Sequence, residues 1–392
     1  MSNKKQIGPQ VQGQRAQGQR AEHIVSNRFP WYSPRFWHGM QLGTWLRQLG
    51  HHRMAISPSR VPLAIGITGL GAVNSTLATM DNLIFGRKVA QIKLAQSPLF
   101  ILGHWRSGTT LMHELLIRDP EHNYATTYQC FATHHFLLSE SWFTPITAFL
   151  LPSRRPMDNM TAGWQRPQED EFALSNLGID TPYLSMMFPN DGPVCGKYLD
   201  LRNISPTDYQ LWQDTLGHFL KRLSYHDQRR LIVKSPAHTA RVQTLLKMFP
   251  TARFVHLVRD PYALYTSTLR LWKSLHLAQG LQVPKNEQWL SEYVLTTHDQ
   301  MYAAFNEDRE LLGKNQLVEL RYEDLVANPK QELQNIYQQL ELGEFSRAKT
   351  TVDAYLHEVK DYRPSQVILD TPTRQLVSQR WAGYFKQYGY DT

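Results

Sequence analysis

The chain has 392 residues, 42% hydrophobic and 11% aromatic, which is enough apolar side chain to bury a large core; this excludes a disordered or fibrous protein and fits one large α/β domain with additions. A formal charge of +8 and a sequence pI near 9.3 suit an anionic ligand, an anionic membrane surface or nucleic acid, without choosing among them. Cys130 and Cys195 are too few for a disulfide framework and neither has a zinc-site spacing, so a reducing, cytoplasmic setting is expected.

Residues 1–28 are polar, carry a tandem QGQRA repeat and lack the apolar core of a secretory signal, so a disordered tail is expected there. Residues 29–97 read as an aromatic-rich, apolar N-terminal extension. Phe29, Trp31, Tyr32, Phe36, Trp37 and Trp45 crowd its start, and Pro30 and Pro34 delay any long helix to about Arg35. Two readings fit: these rings pack on the main domain, or they form an interfacial belt or an apolar lid. No residue between Arg60 and Asp81 is charged. Pro62, Gly66, Gly69, Gly71 and Asn74 dilute its hydrophobicity, and a buried or interfacial helix fits better than a membrane span. Peripheral membrane contact through residues 29–85 follows as an expectation.

After Pro98 short apolar runs alternate with helical periods, the pattern of a parallel sheet flanked by helices. Leu99 to Leu102, Leu231 to Val233, Arg253 to Val258 and Leu317 to Leu320 are predicted strands, each apolar enough to be covered on both faces. Val242, Leu245, Leu246 and Phe249 mark the buried stripe of the helix after the second of them, which Pro250 ends. The stretch from Tyr124 to Arg230 breaks the rhythm and reads as a long helical or irregular insertion that shapes a substrate pocket. The main domain is thus expected over residues 98–392.

Gly103-His104-Trp105-Arg106-Ser107-Gly108-Thr109-Thr110 leads from the first strand into a helix beginning near Thr109. Backbone N–H groups and the helix N-terminus would there converge on an anion. The glycine spacing is that of a nucleotide-binding P-loop, but Thr109 stands where the phosphate-reaching lysine belongs, which argues against an ATPase or kinase. Arg106 offers a planar charge for sulfate or phosphate oxygens instead. The strand from Arg253 ends in Arg259-Asp260-Pro261, and Ser267 follows Arg259 by eight residues, with Arg270 on the same helical face. This is a second phosphate clamp, or a turn that merely caps the helix.

Together these motifs resemble the sulfotransferase family that uses 3'-phosphoadenosine 5'-phosphosulfate (PAPS), most closely from Pro98 to about Leu342. The resemblance implies that Arg106, Ser107, Gly108, Thr109 and Thr110 hold the 5'-phosphosulfate, that Arg259 and Ser267 hold the 3'-phosphate, and that no metal is needed. Arg321-Tyr322-Glu323-Asp324-Leu325 with Asn328-Pro329 matches a further family segment, with Tyr322 at the cofactor. The Lys-Ser-Pro and Arg-Pro-Gln-Glu-Asp-Glu wording resembles the bacterial branch. Lys234 resembles the lysine that steadies the leaving group. The base is Glu169, then Glu171, from the acid run beginning at Arg166, or else His238, whose ordinary pKa suits the task. Ala125-Thr126-Thr127 stands where membrane-type tyrosylprotein relatives place a glutamate.

Two other classes fit the sequence less well. A nucleotide kinase should show the missing lysine and an aspartate strand for magnesium. A non-catalytic membrane-surface or nucleic-acid-binding protein explains the charge but not two phosphate motifs, so nucleic acid is not an expected partner. The acceptor is expected to be a small molecule or lipid, with an amphiphile favoured by the aromatic surroundings.

Overall fold

The computed structural model describes residues 32–152, 154, 160–360 and 369–392. The tail, Phe29 and Trp31 lie outside the described residues. The core is a five-stranded sheet in which β1 (Leu99–Leu102), β2 (His122–Tyr124), β3 (Arg230–Lys234), β4 (Arg253–Val258) and β5 (Leu317–Arg321) take the order β2-β3-β1-β4-β5. All pairs are parallel, with Leu99 facing both Ile232 and Arg253 and Phe254 facing Leu317.

β1 is buried along its whole length, as a central strand covered on both faces must be. β5 departs from that expectation: only Val318 and Leu320 are buried, while Glu319 and Arg321 are half-buried, because β5 is an edge strand. β2, the other edge, went unpredicted. Its three residues His-Asn-Tyr carry no apolar run, and Asn123 ties it down with side-chain hydrogen bonds to the carbonyls of Leu223 and Asp227 at 3.2 Å each. After β3 the chain makes a 3-10 turn at Pro236–Ala240 before the helix Val242–Met248, so His238 sits on that turn and not on the helix.

The N-terminal extension shares the main core. A short 3-10 turn (Phe36–Gly39), α1 (Leu42–His51) and α2 (Val61–Ala90) contribute Trp37, Trp45 and Ile67 to the same cluster as Phe100 and Trp212. Trp37 donates to the Gln279 carbonyl at 2.8 Å, and the Phe36 ring stacks on Phe172 at 3.8 Å. Each buried indole removes roughly 200 Å² from water, which at about 25 cal/mol per Å² fastens the extension with several kcal/mol per ring. The packing reading therefore holds for Phe36, Trp37 and Trp45, whereas Tyr32 is exposed.

β1 has β3 on one side and β4 on the other, so the chain reverses its direction of travel across the sheet at β1. Ligands of open α/β sheets bind at the carboxyl end of such a switch point. The residues following β1, β3 and β4 all emerge there, and α3 (Thr109–Leu116) starts from it.

Candidate active site

The loop after β1 has positive φ at Gly103 (138°), Arg106 (73°) and Gly108 (102°). Such alternation of backbone hand makes consecutive N–H groups converge into an anion-binding nest, here continued by the first turn of α3. A side chain at Gly108 would run into the Tyr322 ring, so only glycine fits. Two contacts that the sequence did not reveal anchor the loop from outside: Gly103 N–H donates to Thr239 Oγ1 at 2.7 Å, and Thr268 Oγ1 donates to the Trp105 carbonyl at 3.1 Å. Ser107 Oγ is buried and makes no hydrogen bond. A buried hydroxyl without a partner is costly unless a ligand completes it, and the loop fits a phosphate or sulfate on this ground.

The second clamp closes on the first. Asp260 caps the helix Pro261–Gln279 by accepting from Ala263 N–H at 2.8 Å, which leaves Arg259 to reach elsewhere. Its guanidinium donates to the Arg106 carbonyl at 2.9 Å and lies over the Tyr322 ring, 4.5 Å from the centroid. Arg106 Nε donates to Ser267 Oγ at 2.9 Å, across 161 positions of sequence, so Arg106 joins the Ser267 clamp as well as forming part of the loop. Tyr322 follows β5 and floors both sites. Helix Ala382–Tyr388 packs beside them: Trp381 and Phe385 are buried, and the Tyr384 hydroxyl accepts from Arg259 N–H at 3.0 Å.

The three consecutive acids part company. Glu169 is the N-cap of the helix Asp170–Asn176, and its Oε1 lies 2.6 Å from Lys234 Nζ at the end of β3. Its other oxygen accepts from the Tyr183 hydroxyl, which in turn accepts from Trp105 Nε1 at 3.1 Å. Burial, then the nearby Glu169 charge, holds Tyr183 well above the usual phenol range, so it stays a donor. Tyr183 belongs to no sequence motif. It links the phosphate loop to the acid and base pair through one hydrogen-bonded chain. Asp170 instead meets His238 Nε2 at 2.8 Å, both buried. Glu171 forms a two-pronged pair with Arg241 at 2.6 and 2.9 Å, and Arg241 also donates to the carbonyls of Tyr198 and Leu199. Both side chains of that pair are fully buried. His113, near Lys234, is held well below the usual histidine range by burial and by that ammonium. Thr126 caps a helix by accepting from Gln129 N–H at 3.1 Å, so the segment that lacks the tyrosylprotein glutamate has a structural task.

A cavity of about 540 Å³ opens beside this segment, lined among others by Glu114, Arg118, Tyr124, Trp164 and Arg166; its lining includes neither Lys234 nor Glu169.

A family model described as "Sulfotransferase family" matches residues 98–346. Two proteins named omega-hydroxy-beta-dihydromenaquinone-9 sulfotransferase Stf3, from Mycobacterium bovis and Mycobacterium tuberculosis, are each 40% identical over 372 residues, covering 95% of this chain and 95% of theirs. Among solved structures, sulfotransferase STF9 from Mycobacterium avium aligns with a TM-score of 0.64 at 16% identity over 86% of this chain and 87% of its own. Sulfotransferase STF1 from M. tuberculosis H37Rv gives 0.62 at 17% identity over 89% and 92%. At those identities the solved structures speak for the fold alone. With the family model spanning the sheet, its phosphate loop and the second clamp, and relatives matching nearly end to end, the chain belongs to the sulfotransferase family.

Proposed function

We propose that this sulfotransferase takes its sulfuryl group from PAPS and passes it to the hydroxyl of a lipid-like acceptor. The observation that carries the reading is the Lys234–Glu169 contact at 2.6 Å, joined through Tyr183 and Trp105 to a loop built for an anion. PAPS supplies an activated sulfuryl group and departs as 3'-phosphoadenosine 5'-phosphate (PAP). The loop amides, Ser107 and Thr109 would hold its 5' end, and Arg259, Ser267 and Arg106 its 3'-phosphate, with Tyr322 beneath. Thr110, next on α3, supports the same end.

Lys234 sets a positive charge where the leaving phosphate gains negative charge, the electrostatic stabilisation such a transfer needs. Glu169 takes the acceptor's proton at its carboxylate. The two roles are coupled: when Lys234 turns from Glu169 to a phosphate, the carboxylate keeps only the Tyr183 hydroxyl and can receive a proton. Glu171 and His238, the competing bases, are committed to Arg241 and Asp170 and serve as scaffold. The acceptor assignment is supported by relatives whose names give a hydroxylated dihydromenaquinone as acceptor.

Calorimetric titration with PAP, 5'-AMP and ATP, on wild type and Arg259→Ala, tests the donor. A charge-assisted phosphate contact contributes roughly 1.5–3 kcal/mol, so PAP should bind at least about tenfold more tightly than 5'-AMP and lose that margin in Arg259→Ala. Equal affinity for 5'-AMP, or preference for magnesium ATP, refutes the donor assignment; sulfation of small hydrophilic sugars alone refutes the lipid acceptor.

A further inference from the structure

Helix α2 presents large aliphatic side chains on its outer face. Its buried stripe is Ala64, Ile67, Gly71, Asn74, Ala78, Asp81 and Val89, and two of its members, Asn74 and Asp81, fasten the helix to the domain through polar contacts, while Thr76 and Thr79 stand on the outer face. Asn74 donates to the carbonyls of His38 and Met40 at 2.7 and 3.0 Å, and Asp81 pairs with buried Arg222 at 2.8 Å while accepting from Leu138 N–H. At about 3.6 residues per turn, Ile65, Met80 and Leu83 fall on the opposite side, and they are 67%, 47% and 81% exposed. A water-facing helix carries the reverse polarity.

Charge identifies what this face meets. From Arg47 to Pro98 the chain has six Lys or Arg residues (Arg47, Arg53, Arg60, Arg87, Lys88 and Lys93) and one acid, Asp81, which is buried. The cations gather before the start of α2 and at its end, bracketing the aliphatic stretch. A second copy of the chain would set these cations against themselves, whereas an anionic bilayer satisfies both the apolar middle and the basic ends. By length and composition Pro58–Ala90 could also cross a membrane. Its buried stripe argues otherwise, because it packs on α1 and on helix Pro206–Leu223, whose Asp208, Asp214 and Lys221 would be drawn into hydrocarbon.

We infer that α2 lies in the plane of an anionic membrane, its Ile65–Leu83 face among the acyl chains and Arg53, Arg60, Arg87 and Lys88 at the headgroups. This reaches beyond the acceptor reading and holds whatever the acceptor is. It also orients the molecule, since α2 grips the Phe36–Gly39 turn, whose Phe36 stacks on the helix that Glu169 caps.

The test is sedimentation of the full chain with phosphatidylglycerol–phosphatidylcholine vesicles and with phosphatidylcholine alone. Binding should favour the anionic vesicles by about tenfold or more and weaken with salt. Ile65→Glu/Leu83→Glu should lose it by a similar factor while transferring sulfuryl normally to a water-soluble alcohol. Arg87→Ser/Lys88→Ser, at two exposed positions, should weaken it too and guards against a misfolded first variant. The inference is overturned by absence of vesicle binding, by binding that both variants leave intact, by resistance to alkaline carbonate extraction, which marks a span, or by a dimer that Leu83→Glu dissociates without vesicle binding. Vesicle binding by a protein that does not turn over PAPS would sink the proposed function and leave the membrane surface standing.

Discussion

Glu169, Asp170 and Glu171 occupy consecutive positions, yet each carboxylate meets a different basic side chain: Lys234, His238 and Arg241. Their fates upon substitution should differ accordingly. Glu169→Gln removes the proposed proton acceptor, so kcat should fall by about 10²-fold or more. PAP affinity should rise at the same time, because Lys234 loses its competing partner. Glu171→Gln leaves Arg241 charged, buried and unpaired, which costs about 3–5 kcal/mol of stability. Thermal melts and PAP titrations on both variants separate the cases: equal losses of Tm in the two would refute the division of roles.

At the scale of elements, the strand–loop–helix unit from β1 to α3 does its work through backbone. Gly108 has a left-handed φ of 102° and presses against Tyr322, which itself carries the Arg259 guanidinium. Gly108→Ala must therefore either move the loop or displace Tyr322, disturbing both proposed phosphate sites at once. The backbone penalty alone is roughly 1–2 kcal/mol, and PAP affinity should drop at least about tenfold while the melting temperature changes little. Normal PAP affinity in this variant would show that the loop and Tyr322 are not part of one site. The two edge strands mark the limit of pattern reading: β2 is too short and polar to announce itself, and β5 alternates because one side is only half covered.

For the whole molecule, buried histidines set the acid limit. Burial pushes His104 down to about 3 and His38, His135 and His298 down to about 4, helped by neighbouring His298, Arg35 and His134 for the first three. In the unfolded chain these rings titrate near 6.5. Above that value both states are neutral and nothing is lost. As pH falls from 6.5 toward 4 the unfolded state takes up protons that the fold refuses, so stability declines, by up to about 1.4 kcal/mol per pH unit for each ring. Unfolding midpoints in denaturant measured from pH 8 to 4 should be flat and then fall below 6.5. A midpoint that stays constant down to pH 4.5 would mean that these rings are solvated.

Local pattern determined much of this protein. Apolar runs placed β1 and β4 to the residue, because central parallel strands are buried on both faces and are mostly apolar, buried His256 being the one polar residue inside β4. The glycine spacing and the missing P-loop lysine marked the candidate anion loop, and the Arg-Asp-Pro turn with its serine marked the candidate second clamp, because backbone hand and strand ends are written in short stretches of chain. Tertiary structure alone decided which acid faces Lys234, 65 positions away, and that Tyr183 and Trp105 connect it to the loop. It alone showed that α2 buries Asn74 and Asp81 and leaves Ile65, Met80 and Leu83 outward. Such contacts join segments far apart in the chain, and composition is blind to which face of a helix its neighbours will cover.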